Sequence, residues 1–310
     1  MAKQFLIIDQ DYTGDCIQGE RHYQEDYFEF YNDKSNDFLM VLADGMGGHR
    51  GGDYASRCAT QSFINTYHAV SGKIAVRLYR ALQKANHQLA LDAQSKPELR
   101  GMGCTLVGVA INKGELEWIS IGDSPLWLYR AKHLHRLNAD HSMKPFLEML
   151  VQQGQLSHEE AAIHPDRNML RSALAGTPIE MIDQSSISLK LYPGDRILLA
   201  SDGILTLSEL EIGKLLNQPL PAKTLVKELL SAVQKKGKPA QDNTTALVVE
   251  IPNTFKKQKK KQKALRWQMS VLLLLLLLSL IFWISVRWYK VDILELIEQF
   301  SQVLMIDKTI

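Results

Sequence analysis

The chain has 310 residues, 45% of them hydrophobic, and a formal net charge of +2. That length supports one large domain with a sizeable core, or two small ones. So small a net charge gives no reason to expect a nucleic-acid partner. Three cysteines, Cys16, Cys58 and Cys104, show no CxxC spacing and do not suggest a disulfide framework, so they read as reduced thiols of a cytosolic domain. No signal peptide is expected: the apolar run at 5–8 is followed at once by Asp9 and Asp11.

In chain order, residues 38–43 (FLMVLA) read as a strand bounded by Asp and Gly. Apolar residues recur at helical spacing over 53–67 and again over 73–91. Runs 105–111 (TLVGVAI), 116–121 (LEWISI) and 126–130 read as strands, with Asn112-Lys113-Gly114 as a hairpin turn between the first two. A helix is expected at 144–153, a strand at 196–201 (RILLAS), a helix at 220–235 and a last strand at 246–251 (ALVVEI). Strands in hairpins and helices in blocks favour an α+β layered sandwich over a βαβ parallel sheet. No repeat or Gly/Ser-rich linker divides residues 1–252, which are expected to form one domain.

Residues 253–310 differ. Lys256, Lys257, Lys259, Lys260, Lys261, Lys263 and Arg266 crowd a basic juxtamembrane linker at 253–268, leaving the rest of the chain net acidic. Residues 269–286 then carry no charge and include seven consecutive leucines at 272–278. At 1.5 Å per residue such a stretch spans roughly 27 Å, enough to cross a bilayer core. Trp267 before it, and Trp288 and Tyr289 after it, suit an interfacial belt. The expectation is one C-terminal transmembrane helix at 269–288. Only Arg287 and Lys290 lie close after the span, so the positive-inside rule puts residues 1–252 in the cytoplasm, at the inner membrane. The tail, 289–310, would lie outside the cytoplasm. Within it Ile293, Leu296, Ile297, Phe300, Val303 and Leu304 recur at helical spacing between Asp292, Glu295 and Glu298. Such an amphipathic helix either rests on membrane lipid or pairs with a partner.

The strand-like runs end at acidic residues. Run 38–43 stops at Asp44-Gly45, run 116–121 at Gly122-Asp123, run 196–201 at Asp202-Gly203, and run 246–251 is preceded by Asp242-Asn243. Any single Asp-Gly pair is an ordinary turn signal, as Gly194-Asp195 is read. Antiparallel strands, however, bring the end of one beside the start of the next, so four carboxylates at strand termini can gather on one rim. Mg²⁺ and Mn²⁺ take such oxygen ligands, together with carbonyls and water. Two such ions can hold a hydroxide between them and clamp a phosphoryl group for in-line attack.

The motifs resemble those of the metal-dependent protein phosphatases, the PPM or protein phosphatase 2C-like family, in its bacterial form. Arg21-His22-Tyr23-Gln24-Glu25-Asp26, Asp44-Gly45-Met46-Gly47-Gly48-His49, Gly103-Cys104-Thr105, Gly122-Asp123-Ser124, Asp140-His141-Ser142, Ser201-Asp202-Gly203 and Asp242-Asn243-Thr244-Thr245 follow the family order across residues 10–251. The resemblance implies two antiparallel sheets flanked by helices. It implies hydrolysis of phosphoserine and phosphothreonine in proteins, opposing a cognate Ser/Thr kinase. It implies two core ions, Mn²⁺ or Mg²⁺, and a third. Asp44 would bridge the core pair, with the Gly45 carbonyl on one ion and Asp202 and Asp242 completing the other. Asp26, with Glu25, would hold outer-shell water, Asp123 would ligate the third ion, and Arg21 would grip the substrate phosphate. Asp140 and His141 are expected to brace a loop, and Asn243 and Thr244 to orient Asp242. His49 is read as loop packing or a helix start.

Two positions depart from the family pattern. Met46 stands where many eukaryotic members carry a histidine proposed as general acid, and a thioether donates no proton. Pro125 stands where an arginine is usual. They open an alternative: a catalytically weak, phosphatase-like scaffold that binds a phosphoprotein in a membrane complex, such as a secretion system. Residues 143–165 resemble the mobile flap of bacterial members.

Overall fold

The computed structural model describes residues 7–33, 37–47, 51–252, 270–272, 274–281, 283–285, 287 and 295–302. In chain order it contains β1 (Tyr12–Ile17), β2 (Asp26–Asp33), β3 (Asp37–Met46), α1 (Gly51–Ala69), α2 (Ile74–Ser95), β4 (Gly103–Cys104), β5 (Leu106–Asn112), β6 (Glu115–Ile121), β7 (Leu126–Arg130), β8 (His133–Arg136), α3 (Lys144–Gln152), α4 (His158–Ile163), β9 (Asp183–Gln184), β10 (Leu189–Lys190), β11 (Arg196–Ala200), α5 (Glu209–Leu216), α6 (Ala222–Lys235) and β12 (Thr244–Glu250).

The strands form two antiparallel sheets. One runs β1-β12-β11-β7-β8. The other runs β10-β6-β5-β3-β2, with β4 on β3 and β9 on β6. Alternation within each strand assigns its side chains to two layers. Phe38, Met40 and Leu42 of β3 meet Ile197 and Leu199 of β11 and Leu247 and Val249 of β12 between the sheets. The other face of β3, Leu39, Val41 and Ala43, packs under α1 and α2 against Phe63 and Leu82. The other face of β11 and β12 packs under α6 against Leu225, Leu229 and Val233. Each of these buried side chains larger than alanine contributes about 1.5–3 kcal/mol of transfer free energy. Gly108 of β5 permits the close helix: a Cβ there would stand 2.5 Å from the Phe63 ring. The expected turn at 112–114 is a two-residue loop, with Asn112 paired to Glu115 and positive φ at Lys113 (49°) and Gly114 (87°).

One expectation is corrected here. Asp44 does not end its strand. β3 continues to Met46 because Gly45 pairs with Cys104 and Met46 with Gly103, while the Thr105 N–H donates to the Asp44 carbonyl at 2.8 Å. The β4 segment thus supplies the ladder partners that prolong the strand. β1 and β2 were absent from the predicted elements altogether.

The chain divides into two compact units, Met1–Pro252 and Asn253–Ile310. In the second, residues 270–272, 274–281, 283–285 and 287 are helical and exposed, as are 295–302. Among the described residues no helix is long and apolar enough to cross a membrane. The expected basic run, the flanking Trp267, Trp288 and Tyr289, and Ile293, Val303 and Leu304 of the tail lie outside the described residues, as does His49.

Candidate active site

The same alternation that fills the inter-sheet layer with apolar side chains ends, at one rim, in polar ones. On β3 the series Phe38, Met40, Leu42 continues to Asp44. On β2, Phe28 and Phe30 share their face with Asp26. On β11 and β12, Ser201 and Thr245 follow the register of Leu199 and Leu247. The hydroxyls of Ser201 and Thr245 both donate to Asp26 Oδ2, each at 2.7 Å. Asp26 and Asp44 sit directly opposite each other in the β2–β3 ladder. Like charges in that relation oppose pairing, so the fold tolerates a local repulsion here.

The loops bring the remaining carboxylates to this rim. Asp202 opens a 3₁₀ turn, Asp202–Thr206, directly after β11. Asp242 precedes β12, and Gln241 Nε2 ties the two loops by donating to the Gly203 carbonyl at 3.2 Å. Asp123 lies where the chain crosses from β6 in one sheet to β7 in the other. His141 braces that crossing, as expected. Its Nδ1 accepts from the Gly122 N–H at 3.3 Å and its own N–H donates to the Gly122 carbonyl at 3.1 Å. Burial lowers the pKa of His141, in keeping with a neutral ring that accepts at Nδ1. Asp140 does likewise for its own loop, accepting from the Ser142 N–H at 2.8 Å.

A cleft of about 460 Å³ is lined by Arg21, Glu25, Asp44, Gly45, Met46, Asp123, Asp202 and Asp242, among others. Asp26 lies just beneath it, buried. The structure therefore brings together every predicted site residue. Asp195 stays apart, as a turn residue whose carboxylate takes two hydrogen bonds from Arg130 at 3.0 and 2.6 Å.

The electrostatics of the cleft are unbalanced. Burial, and then the charges of Asp26, Asp202, Asp123 and Asp242, hold Asp44 well above the usual carboxylate range. Burial pushes Asp26 up to about 6 even though Thr245 and Ser201 hydrogen-bond to it. Burial and the Asp202 charge push Asp123 up to about 7. Asp202 is raised by burial and by Asp242. Against these carboxylates stand cationic side chains, Arg136 among them, whose Nη2 donates to the Asp123 carbonyl at 3.1 Å. Arg21 Nη2 donates to Asp242 Oδ2 at 2.5 Å, and Lys144 Nζ stands 3.7 Å from Asp123 Oδ2.

The donor set fits a hard divalent cation. It consists of carboxylates and backbone carbonyls, with no thiolate in the cleft. Glu25 Oε1 and Asp26 Oδ1 are buried without a hydrogen-bond partner among the described residues, which is costly unless something else satisfies them. Gly45 is pressed between chain segments: a Cβ there would stand 2.7 Å from the Glu25 carbonyl and closer still to that of Gly52. Among the described residues no three His, Cys, Asp or Glu side chains form a finished metal cage. Magnesium-like ions keep several waters and do not require one.

The family model described as Protein phosphatase 2C matches residues 14–248, the stretch that carries every one of these residues. The chain belongs to the protein phosphatase 2C family, in its bacterial serine/threonine form. Protein phosphatase PhpP of Streptococcus pneumoniae is 32% identical over 241 residues, covering 75% of this chain and 93% of that protein. The serine/threonine phosphatase PstP/Ppp of Mycobacterium tuberculosis superposes with a TM-score of 0.66 at 29% identity, covering 78% of this chain and 98% of that one. The catalytic domain of PstP in complex with two manganese ions gives a TM-score of 0.64 at 28% identity, covering 78% and 98%.

Within this protein phosphatase 2C chain, two residues have roles that their sequence neighbours do not announce. Asn243 clamps the Arg21 loop. Its Oδ1 accepts from the Glu25 N–H at 2.8 Å, and its Nδ2 donates to the carbonyls of Gln18 at 2.7 Å and Tyr23 at 3.0 Å. Lys144, the first residue of α3, stands beside Asp123, 21 residues away in the chain. The predicted helix at 144–153 was the only signal for it.

Proposed function

We propose that this chain performs metal-dependent hydrolysis of phosphoserine and phosphothreonine in proteins, opposing a Ser/Thr kinase at a membrane. The observation that carries the reading is the cleft itself, where buried, mutually repelling carboxylates face a guanidinium at the mouth. Such a cluster, once ionised, costs the fold stability unless cations offset it. Asp44, Asp202, Asp242 and the Gly45 carbonyl would hold two core Mn²⁺ or Mg²⁺ ions, and Asp26 and Glu25 would position water beside them. When bound, such an ion pair supplies an activated water nucleophile and neutralises phosphoryl charge.

The chain's own residues do the rest. Arg21 uses one of its five N–H donors on Asp242, which pins the guanidinium at the cleft mouth and leaves others for phosphate oxygens. Asn243 fixes the loop that carries Arg21, so substrate grip and Asp242 are set by one residue. Met46 lines the cleft and donates no proton, so the leaving alkoxide takes its proton from water or from another group.

The test uses the full chain stripped with a chelator and assayed on a phosphothreonine peptide. Turnover should return with Mn²⁺, and its absence in folded, metal-loaded protein would sink the reading. Arg21→Ala should raise KM about 10–100-fold, the value of charged hydrogen bonds to phosphate, with a smaller effect on kcat. An unchanged KM would take Arg21 out of substrate binding.

The membrane context rests on residues 269–288. The uncharged, leucine-rich sequence of 269–286 within them and the upstream basic run support a single-pass anchor with residues 1–252 on the cytoplasmic side. Deleting residues 264–310 should move the protein from the membrane to the soluble fraction with turnover on a soluble peptide unchanged. A full chain that fractionates as soluble would contradict the anchor.

A further inference from the structure

Lys144 is a cation beside the cleft with no part in the chemistry above, and it faces the Asp123 carboxylate, whereas Arg136 Nη2 donates to the Asp123 backbone carbonyl at 3.1 Å. The Lys144 side chain is 19% exposed and its Nζ stands 3.7 Å from Asp123 Oδ2, whose own side chain is 5% exposed. This is not an ordinary solvated ion pair. The ammonium also pulls against the upward shifts of Asp123 and Asp202. Its position is fixed by backbone at both ends of the segment that follows. The Met143 N–H donates to the Met169 carbonyl at 2.9 Å, and Ser142 bridges Leu170, so the start of α3 is fastened beside Asn168, Met169 and Leu170 of the cleft wall. A lysine held there is carried by the fold to Asp123.

We propose that Lys144 is a resident cation of the cleft. It occupies the Asp123 side of the carboxylate cluster, where a further divalent ion would have to bind, so that the chain saturates with fewer ions than its carboxylates could hold. The inference rests on the metal reading above. A tethered ammonium costs no association entropy and needs no free metal. It also repels any divalent ion approaching Asp123, and at a separation of about 4 Å in a partly buried site that repulsion lowers affinity at least about tenfold. Lys144 thereby restricts metal binding to the Asp44, Asp202 and Asp242 side of the cleft and ties α3 to the site.

The test is equilibrium dialysis of the full, chelator-stripped chain against Mn²⁺ alone, with bound metal counted by atomic absorption. Lys144→Met keeps length and apolar stem but removes the charge, and Lys144→Gln is the second variant should the first fail to fold. The expected result is an additional Mn²⁺ per chain in the neutral variant, at concentrations where wild type shows none, with a midpoint shifted at least about tenfold. Lys144→Arg should bind as wild type does. Adding Asp123→Asn to Lys144→Met should remove the gain. Superimposable isotherms for wild type and the neutral variants would overturn the proposal and leave the metal reading standing. No Mn²⁺ on wild type would overturn both.

Discussion

Asp202→Asn should abolish turnover, by at least about 100-fold in kcat, and at the same time raise the melting temperature of the metal-free chain. Loss of an outer-shell partner alone typically costs 10–100-fold in metal affinity or activity, so loss of a ligand carboxylate should exceed it. The stability gain follows from the same geometry. Asp202 is held above the usual carboxylate range by burial and by the neighbouring Asp242 charge, so its ionised form is a burden on the fold. Asparagine keeps the volume and removes the charge. The gain should be about 1–2 kcal/mol, or roughly 2–4 °C for a chain of this size. Thermal melts in chelator, run beside a peptide assay in Mn²⁺, read both effects. A residue serving only the fold would lose stability on substitution. A lower melting temperature, or retained activity, would argue against the role assigned here.

The metal-free chain should also lose stability as pH rises from about 4 to about 7. Asp26 is pushed up to about 6 and Asp123 up to about 7, both first by burial. In the unfolded chain each titrates near 3.9. The folded form therefore binds these protons more tightly. Their stabilising contribution is full below the unfolded value and disappears as pH climbs through the folded ones. At about 1.4 kcal/mol per pKa unit, Asp123 alone accounts for roughly 4 kcal/mol. With Mn²⁺ present the trend should reverse, because the ion requires ionised ligands and its binding releases protons. Urea midpoints at pH 5 and 8, with chelator and with Mn²⁺, decide this. Metal-free protein that is more stable at pH 8 than at pH 5 would contradict the crowding of charge on which the site is built.

Most of the site could be read in the sequence because its ligands lie in short motifs at the ends of recognisable apolar runs. Asp44, Asp123, Asp202 and Asp242 were legible that way, although β3 runs on through Asp44. What the motifs could not supply was the layer. Asp26, Ser201 and Thr245 converge because alternation in three strands, β2, β11 and β12, assigns them to the inter-sheet face. β2 itself was missed although Asp26, Phe28 and Phe30 do alternate, because charged residues interrupt its apolar pattern. Asn243 was expected to orient Asp242, which its backbone N–H does by donating to Asp242 Oδ1 at 2.8 Å, and its side chain in addition fastens the Arg21 loop 220 residues away. Lys144 was invisible for a related reason: its partner is set by where α3 starts, and no local pattern encodes that.

The most direct measurement follows Mn²⁺ occupancy and phosphate release on one sample of chelator-stripped full chain, using a phosphothreonine peptide. Release should be absent without metal and should rise in step with occupancy of the cleft, in wild type and not in Asp202→Asn. Saturating Mn²⁺ binding with no phosphate release, or release that is indifferent to the chelator, would contradict the account.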